Sequence, residues 1–595
     1  MFELIITDRL HRKIGVSKSL PRLVSMRTLR KREILIARKL RIRRYYLPSL
    51  NKAESAEFFK EFDKFWDQVV KPFGHDHVFW RNVVSSKMQE WERSAAYLAL
   101  VLFTLAKKSK TRSQLLIIVC SSLEEEDICE AWGRKRGWKV YRRPFLSLPL
   151  RIRRIFQEAH NLKDFLFMCT VSLYRKFFSP RYAPKQLQID RLILIASRLY
   201  QSSFNNGNYA DPFFGNLHDI LRKNGNFVTY LCNPLGSLRE SAKKIKECTE
   251  VAVVVPYSII TWAELISLLL ELFIRRVRVP HSYFFGCDFS RLLRWNSRYE
   301  HFFNLDAEIY YRAVRKLCRS KHFERLIQLY EGNVFERGCI QAFREHSPRA
   351  ILGYSHAVVF PLNLKIRLTD NEKRQRPEPD ILLSTGPETK RLMIDIGKRD
   401  TSRVYSACSL RNIPLLDDTD RFGGVQSEIL VALGGVLGCA TALCWLMEQA
   451  EILKDYNVKL RGHPNVPVNT LLDQCLHDMP YNFHLSDSDL ETELRNSVCV
   501  VYRQSSVGMQ ALLNGVPAIH LNIDAPLSGD PMMDLKTFKW TVCTPEQLGI
   551  ALKEILTLDE KRKRKYIRVA KKYVKDYFAV PDENNVLSFL GNIAQ

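Results

Sequence analysis

The sequence predicts an α/β protein: two doubly wound parallel sheets facing a cleft, with helical insertions in the N-terminal half. Three observations carry that expectation. Short aliphatic runs such as LILIA (Leu192–Ala196), VAVVV (Val251–Val255) and ILVAL (Ile429–Leu433) have the length and β-branched content of buried strands. Stretches of helical period alternate with them, which implies parallel pairing. The 595 residues also exceed what one hydrophobic core organises.

The elements follow in order. Residues 1–50 form a basic segment. Residues 51–325 are expected as a first α/β domain with helical insertions, and residues 326–575 as a second domain carrying the ligand site. Residues 576–595 are expected as a C-terminal tail or helix. In the first domain, 52–110 read as helix from apolar residues at three-and-four spacing. Leu115–Val119 then reads as a buried strand, with Cys120 as a lone thiol at its end, followed by an acid-capped helix (SLEEEDICEAWGRKRG) and the strand KVYR. Residues 151–178 are helical and basic. From Asp190 a second series runs DRLILIAS, DPFFGNLHDILRKNG, NFVTYLCN and VAVVVPY as strand, helix, strand, strand. Helices follow at Trp262–Arg275, with Leu265–Ile274 read as a core helix, and over 300–325. RLIQLYEGN, RAILGYSHAVV, DILLSTG and RLMIDIG read as strands, interrupted by the charged loop Thr369–Pro379. ILVALGG, NVKLRGHP, NSVCVVY and VPAIHLN read as four more, each leading into a helix. Helices Glu546–Leu556 and Glu560–Phe578 are expected to pack back across the molecule.

One run has the length of a membrane span. Ile429–Met447 carries no charge, but Gly434, Gly435 and Gly438 divide it into strand, loop and helix. Fourteen cysteines without paired short spacing indicate reduced thiols and a cytoplasmic setting, and no CxxC pattern offers a metal framework.

The net charge of +27 requires an anionic partner. Residues 1–50 hold fourteen Lys and Arg against three Asp and Glu, with Phe2, Leu4, Ile5, Ile6, Leu10, Ile34, Leu35 and Ile36 interleaved. That pattern suits an anionic membrane surface, or equally a solvated basic face. No nucleic-acid-binding motif accompanies the charge, so no nucleic acid is expected as a partner.

The most informative segments lie late in the chain. KLRGHP (Lys459–Pro464) is a strand ending in Arg461, His463 and Pro464. VYRQSSVGMQALLNGVPAIHL (Val501–Leu521) is a strand, then Ser505 and Ser506 where a helix should begin, then Gly515 turning into a new strand. A serine at a helix N-cap leaves backbone N–H groups and the positive dipole end available to phosphate. Strand ends are where open α/β sheets bind ligands.

These two segments resemble the donor half of GT-B glycosyltransferases that use cytidine nucleotides. Sialyltransferases and Kdo transferases carry an HP motif followed by SS or ST, and teichoic-acid glycerophosphate transferases carry a similar pair. Leu329–Val359 is similar to the interdomain stretch of surface-polysaccharide transferases, so the likeness spans roughly Asp211–Leu521. The resemblance implies a GT-B fold of two Rossmann-like domains. It also implies a nucleotide-sugar co-substrate, with a CMP-linked acid sugar favoured, and neither cofactor nor metal. On this reading Arg461, His463, Pro464, Ser505 and Ser506 bind the donor phosphate. Gly434, Gly435 and His356 stand near the donor, where the two glycines can equally form a simple turn.

Two acids are candidates for the base. Glu331, in Tyr330-Glu331-Gly332, corresponds to a paired-acid motif of which only one acid is present here. Asp211 lies in a loop before a helix, where capping is its structural reading; Glu336 reads as a helix-start acid or an ion-pair partner. Asp487-Ser488-Asp489 has the letters of a metal-binding DxD, but its place before a helix assigns it to capping. Asp524 and Asp530, after the last strand, either touch the sugar or solvate their loop. The whole predicts a cytoplasmic enzyme, peripheral on the inner membrane face, acting on a lipid-linked or polysaccharide acceptor. A nucleotide-sugar epimerase, a CDP-dependent polyol-phosphate transferase and a non-catalytic scaffold remain as alternatives.

Overall fold

The structure is a computed structural model. It describes residues 3–7, 22–25, 33–34, 36–37, 43–87, 94–108, 115–142, 149–180, 191–205, 208–234, 237–248, 250–275, 277–299, 301–410, 428–435, 439–463, 466–475 and 478–591. Among these residues the expected pair of doubly wound parallel sheets is present, and a further parallel sheet precedes them.

That first sheet has five strands: β1 (Glu3–Thr7), β2 (Arg22–Ser25), β3 (Arg43–Arg44), β4 (Leu115–Val119) and β5 (Lys139–Arg142), ordered β3-β2-β4-β1-β5. β1 runs parallel between β4 and β5, with Leu4 and Ile6 fully buried. Leu4, Ile5, Ile6 and Ile34 are therefore core and do not face a bilayer, as one reading of the sequence had them; Phe2, Leu10 and Leu35 lie outside the described residues. Nor do residues 1–50 stand apart as a segment. The helix Lys52–Val70 stacks Phe58, Phe62 and Trp66 in the same core, and Leu47 and Leu50 donate their N–H groups to Asp524 and Pro526 in the C-terminal half.

The second sheet is made of β6 (Leu192–Leu199), β7 (Phe227–Pro234), β8 (Ala252–Val254), β9 (Arg325–Leu329), β10 (Ile351–Ser355), β11 (Ile381–Ser384) and β12 (Val404–Ser406). Its order is β8-β7-β6-β9-β10-β11-β12, all parallel. The domain boundary expected at 325/326 is thus corrected: β9 lies against β6, and four strands assigned by sequence to the second domain complete this sheet. RLMIDIG is also corrected, from strand to helix (Pro387–Asp395). Pro387 occupies its first turn, where no N–H is needed, and Thr389, Leu392 and Met393 bury one face.

The third sheet holds β13 (Glu428–Leu433), β14 (Asn457–Arg461), β15 (Phe483–Leu485), β16 (Ser497–Arg503), β17 (Ala518–Leu521) and β18 (Lys539–Val542), ordered β15-β14-β13-β16-β17-β18. Ile429–Leu433 are buried on both faces, as a central parallel strand requires. The uncharged run is strand and helix (Cys439–Glu448) as read, and no helix among the described residues is long and apolar enough to cross a membrane.

Of the two C-terminal helices, Pro545–Leu556 stays on the third sheet through Leu548, Leu552 and Ile555. Glu560–Tyr577 crosses to the second. The Tyr577 carbonyl accepts from Thr385 and Thr389, and Tyr573 Oη donates to Glu388. The expected tail or helix packs on the second sheet over its described residues: Glu583–Leu587 is helical, and Val586 and Phe589 bury beneath β6 and β10. The loops after β10 and β17 also meet: the Leu362 N–H donates to the Ser528 carbonyl at 3.0 Å. The carboxyl edges of the two sheets are therefore turned toward each other.

Candidate active site

In both large sheets the chain winds outward in one direction and then restarts beside its first strand in the other. The reversals fall between β6 and β9 in the second sheet, and between β13 and β16 in the third. At such a point the loops from two adjacent strands part and leave a crevice. The sequence candidates gather at these two places.

In the second sheet β9 ends at Leu329 and Tyr330 is buried. The chain turns at Gly332, whose φ of +83° lies in the left-handed region. A Cβ there would also sit 2.8 Å from Arg376 Nη2 and 3.0 Å from the Lys365 carbonyl. Asn333 then caps the helix Val334–Arg344 in a capping box with Glu336. Glu336 Oε2 accepts the N–H groups of Glu331, Gly332 and Asn333 at 2.8–3.0 Å, so it is the helix-start acid. Burial and the neighbouring Glu331 charge push Glu336 up to about 7, against the pull of Asn333's donors.

The turn leaves Glu331 at the strand end with its side chain 28% exposed. His356, just past the adjacent β10, reaches it with Nε2 3.1 Å from Oε1. Burial alone would raise the Glu331 carboxyl, but His356, Lys365 and Arg198 outweigh it, and the group lies below the ordinary glutamate value. His356 Nδ1 is buried, so of this pair Glu331 is the member that faces out. The pairing places His356 with the base candidate rather than with the donor candidates.

Asp211 is corrected as a base candidate. It is 3% exposed, and Oδ1 accepts the N–H groups of Phe213 and Phe214 at 2.9 Å while Tyr209 donates to Oδ2 at 2.8 Å. Burial raises its carboxyl. Its work is to shape the turn that sets the Phe213 ring against His356, with centroids 4.5 Å apart. Pro212 does not begin the next helix, which starts at Leu217.

In the third sheet Gly434 and Gly435 follow β13. The Gly434 N–H donates to the Arg503 carbonyl at 2.9 Å, and a Cβ at Gly434 would lie 2.6 Å from the Gln504 carbonyl. A Cβ at Gly435 would lie 2.6 Å from His463 Nδ1. The glycine pair is thus clasped between the end of β16 and the imidazole beyond β14, and its small size brings those strand ends together. His463 sits in an isolated bridge with Val466. Pro464 lies outside the described residues.

Gln504 was missed by sequence reasoning. It carries φ of +50°, a conformation that costs a non-glycine residue energy, and strain of this kind clusters at ligand sites. Its side chain packs on Gly529. No sequence signal marks a strained glutamine. Arg503 was missed as well; it is buried and donates to the carbonyls of Ile523 and Asp524, fixing the loop after β17. Ser505 is buried and its hydroxyl accepts the Val507 N–H at 3.3 Å, while Ser506 precedes the helix Val507–Leu513 without capping it by its side chain. Gly515 ends that helix at φ +67°.

Arg461 is held by its neighbours, with its side chain 28% exposed. Its Nη1 donates to Glu493 Oε2 at 2.7 Å, to the Ser488 carbonyl at 2.9 Å and to Ser486, so it braces the loop before the helix Leu490–Asn496. Asp489 caps that helix through Thr492, and Asp487 pairs with Lys459. Asp524 accepts the Leu47 N–H. Asp530 is a buried hub for Tyr502 and Lys539 rather than a sugar contact. One trio with metal-ligand spacing occurs among the described residues: His218, Asp219 and Glu250. It lies at the start of β8, on the amino side of the second sheet and away from the site.

No protein-family model matches the chain, and no curated protein matches it. Among solved structures the chain is similar to a proposed UDP-N-acetylglucosamine 2-epimerase from Listeria monocytogenes (14% identity, TM-score 0.40, covering 68% of this chain and 95% of that one). It is also similar to the glycosyltransferase SnogD from Streptomyces nogalater (16%, 0.37, 68% and 99%). MurG of Acinetobacter baumannii gives 12%, 0.37, 68% and 98%. These are likenesses of fold, and no residue role or substrate is carried over from them.

Proposed function

We propose that this chain is a GT-B glycosyltransferase, associated with the inner face of a membrane from the cytoplasm. It would transfer a sugar from a nucleotide donor to a cell-surface polysaccharide or lipopolysaccharide acceptor. A CMP-linked acid sugar is the favoured donor, a preference that rests on the order of the HP and SS motifs alone.

One observation supports the reading above all: apt chemistry stands at both switch points, on carboxyl edges that are turned toward each other. On one side is an ionised, partly exposed carboxylate held by a histidine. On the other, two glycines admit close backbone approach beside an imidazole and a strained strand end. In the proposed reaction Glu331 takes the proton of the acceptor hydroxyl as that oxygen bonds the anomeric carbon. The bond from that carbon to the donor phosphate breaks, and its electron pair leaves with the phosphate. His463 and the backbone N–H groups around Gly435 and Ser506 stabilise the charge so released. Arg198 and Lys365 keep Glu331 ionised.

Thermal unfolding with CMP, UDP and GDP tests this. A nucleotide at one hundred times its Kd adds about 2.7 kcal/mol of stability, so one of the three should raise Tm and the others less. No shift with any of them would overturn the reading. Product analysis of a nucleotide sugar without acceptor separates transfer from epimerisation, since only the epimerase changes the sugar alone.

A further inference from the structure

The longest helix among the described residues, Leu150–Phe178, has two apolar sides. Asn161, Phe165, Met168 and Ser172 bury against the second domain. A second stripe of Ile155, Leu162, Leu166, Leu173 and Phe177 faces outward, with Ile155 66% and Phe177 72% exposed. Beside it lies the helix Trp262–Ile274, joined by the Phe165–Phe273 ring contact at 5.3 Å. That helix buries Leu265, Leu268 and Leu269 and turns Trp262, Ile266, Leu270, Phe273 and Ile274 out along a single stripe. Both runs have helical spacing, so each helix is amphipathic toward the core and apolar again toward solvent. Two neighbouring helices that each turn an apolar stripe to solvent mark an interaction site.

Charge identifies the occupant. The helix Leu150–Phe178 carries six Lys and Arg against two Asp and Glu. Arg153 and Arg154 pair with Glu126 and Glu124, and Lys176 donates to the Tyr257 and Ile260 carbonyls, which leaves Arg151 and Lys163 exposed. The adjoining helix Leu238–Glu247 carries four Lys and Arg against two Asp and Glu. The acids of Trp262–Ile274 are already neutralised: Glu264 by Lys316 at 2.7 Å, and Glu271 by Arg312 at 2.7 Å and Arg275 at 3.3 Å. The face is therefore apolar with a basic border, about 43 Å long along the first helix. We propose that these two helices lie flat in the headgroup region of an anionic lipid bilayer and form the membrane contact of the protein. An interfacial helix pair with aromatic and aliphatic side chains below and Lys and Arg at the rim has this composition. The proposal moves the membrane contact from residues 1–50, of which Leu4, Ile5, Ile6 and Ile34 are core, and it stands whether or not the chain transfers sugar.

The test uses the full chain with vesicles of phosphatidylcholine alone or with phosphatidylglycerol added. Co-sedimentation should occur with the anionic vesicles and weaken in high salt. Ile155→Ser with Phe177→Ser, and separately Ile266→Ser with Ile274→Ser, should each reduce vesicle affinity about tenfold or more. Tm and its response to nucleotide should not change, which separates failure of this surface from failure of the transferase reading. Brominated lipid should quench the fluorescence of the wild-type chain more than that of Trp262→Phe, a readout that needs no destabilising change. Vesicle binding that survives both double substitutions, or equal quenching of the two proteins, would overturn the proposal. So would substitutions that only convert an oligomer to a monomer, since the face would then bind a second copy of the chain.

Discussion

Gly435→Ala is the sharpest perturbation that the site offers. The backbone at 435 lies outside the left-handed region, so alanine is tolerated by the chain itself. The added Cβ, however, would stand 2.6 Å from His463 Nδ1, 2.9 Å from Cε1 and 3.0 Å from Cγ, where ordinary contact begins near 3.4 Å. The imidazole must therefore retreat by about 0.8 Å. Displacing a positioned group by about 1 Å costs roughly a hundredfold in rate. If His463 holds the donor phosphate, kcat/KM should fall by about 30- to 100-fold and nucleotide affinity by about tenfold, or about 1.4 kcal/mol. Calorimetric titration of the nucleotide and initial-rate measurement read these two quantities. Gly549→Ala supplies the control. That glycine sits in the helix Pro545–Leu556 with nothing within 4 Å of the new Cβ, so the change should stabilise by about 0.5–1 kcal/mol and leave turnover alone. In a His463→Ala background the Gly435→Ala change should cost nothing further, because the ring it pushes is absent. Wild-type nucleotide affinity in folded Gly435→Ala, or a loss that simply adds to that of His463→Ala, would show that His463 does not hold the donor phosphate.

Other expectations follow from the same geometry. Glu331→Gln should lower kcat by about 10²–10⁴-fold with little change in nucleotide affinity; near-normal turnover would remove Glu331 as the base. His356→Asn should shift the acid limb of the kcat profile to higher pH, because the histidine is the first of the neighbours that hold Glu331 down; an unmoved limb counts against the pair. Burial depresses His301 and His520 to about 4, against about 6.5 in an unfolded chain. Between those values the unfolded state binds more protons, so stability present above pH 6.5 is lost as pH falls, by up to about 1.4 kcal/mol per unit for each histidine. Urea titrations from pH 7 to 4.5 should show this, with a shallower slope in His520→Phe; equal slopes would contradict it. Glu372→Gln should destabilise by about 3–5 kcal/mol, because Lys87 and Arg376 would be left buried beside a neutral group; a loss under 1 kcal/mol would show that the network relaxes.

What sequence reasoning could and could not reach has physical causes. ILVAL-GG was legible because a strand buried on both faces is uniformly aliphatic and two glycines stop it. Of the five-stranded sheet only β4 and β5 were, since β1 pairs with β4 more than a hundred residues away and its three aliphatics are set among charges. The pairing of Arg461 with Glu493, thirty-two residues on, is not legible in the neighbours of either residue. Asp211 reads as a reachable acid because burial is not written in its neighbours. Glu331 and His356 meet only because β9 and β10 are adjacent and parallel, so residues that follow each strand share an edge. The outward stripe of Trp262–Ile274 was read as core, and hydrophobic period cannot separate the two cases: it repeats every three or four residues whichever solvent it faces.

Hydrogen exchange with and without nucleotide measures the central claim most directly, because it locates the bound phosphate on the chain without assuming a reaction. The account predicts slowed exchange at the three strand ends of the third sheet, residues 434–435, 461–463 and 503–507, with the amino edges of both sheets unaffected. Protection elsewhere in the fold, or none with any of CMP, UDP and GDP, would contradict it.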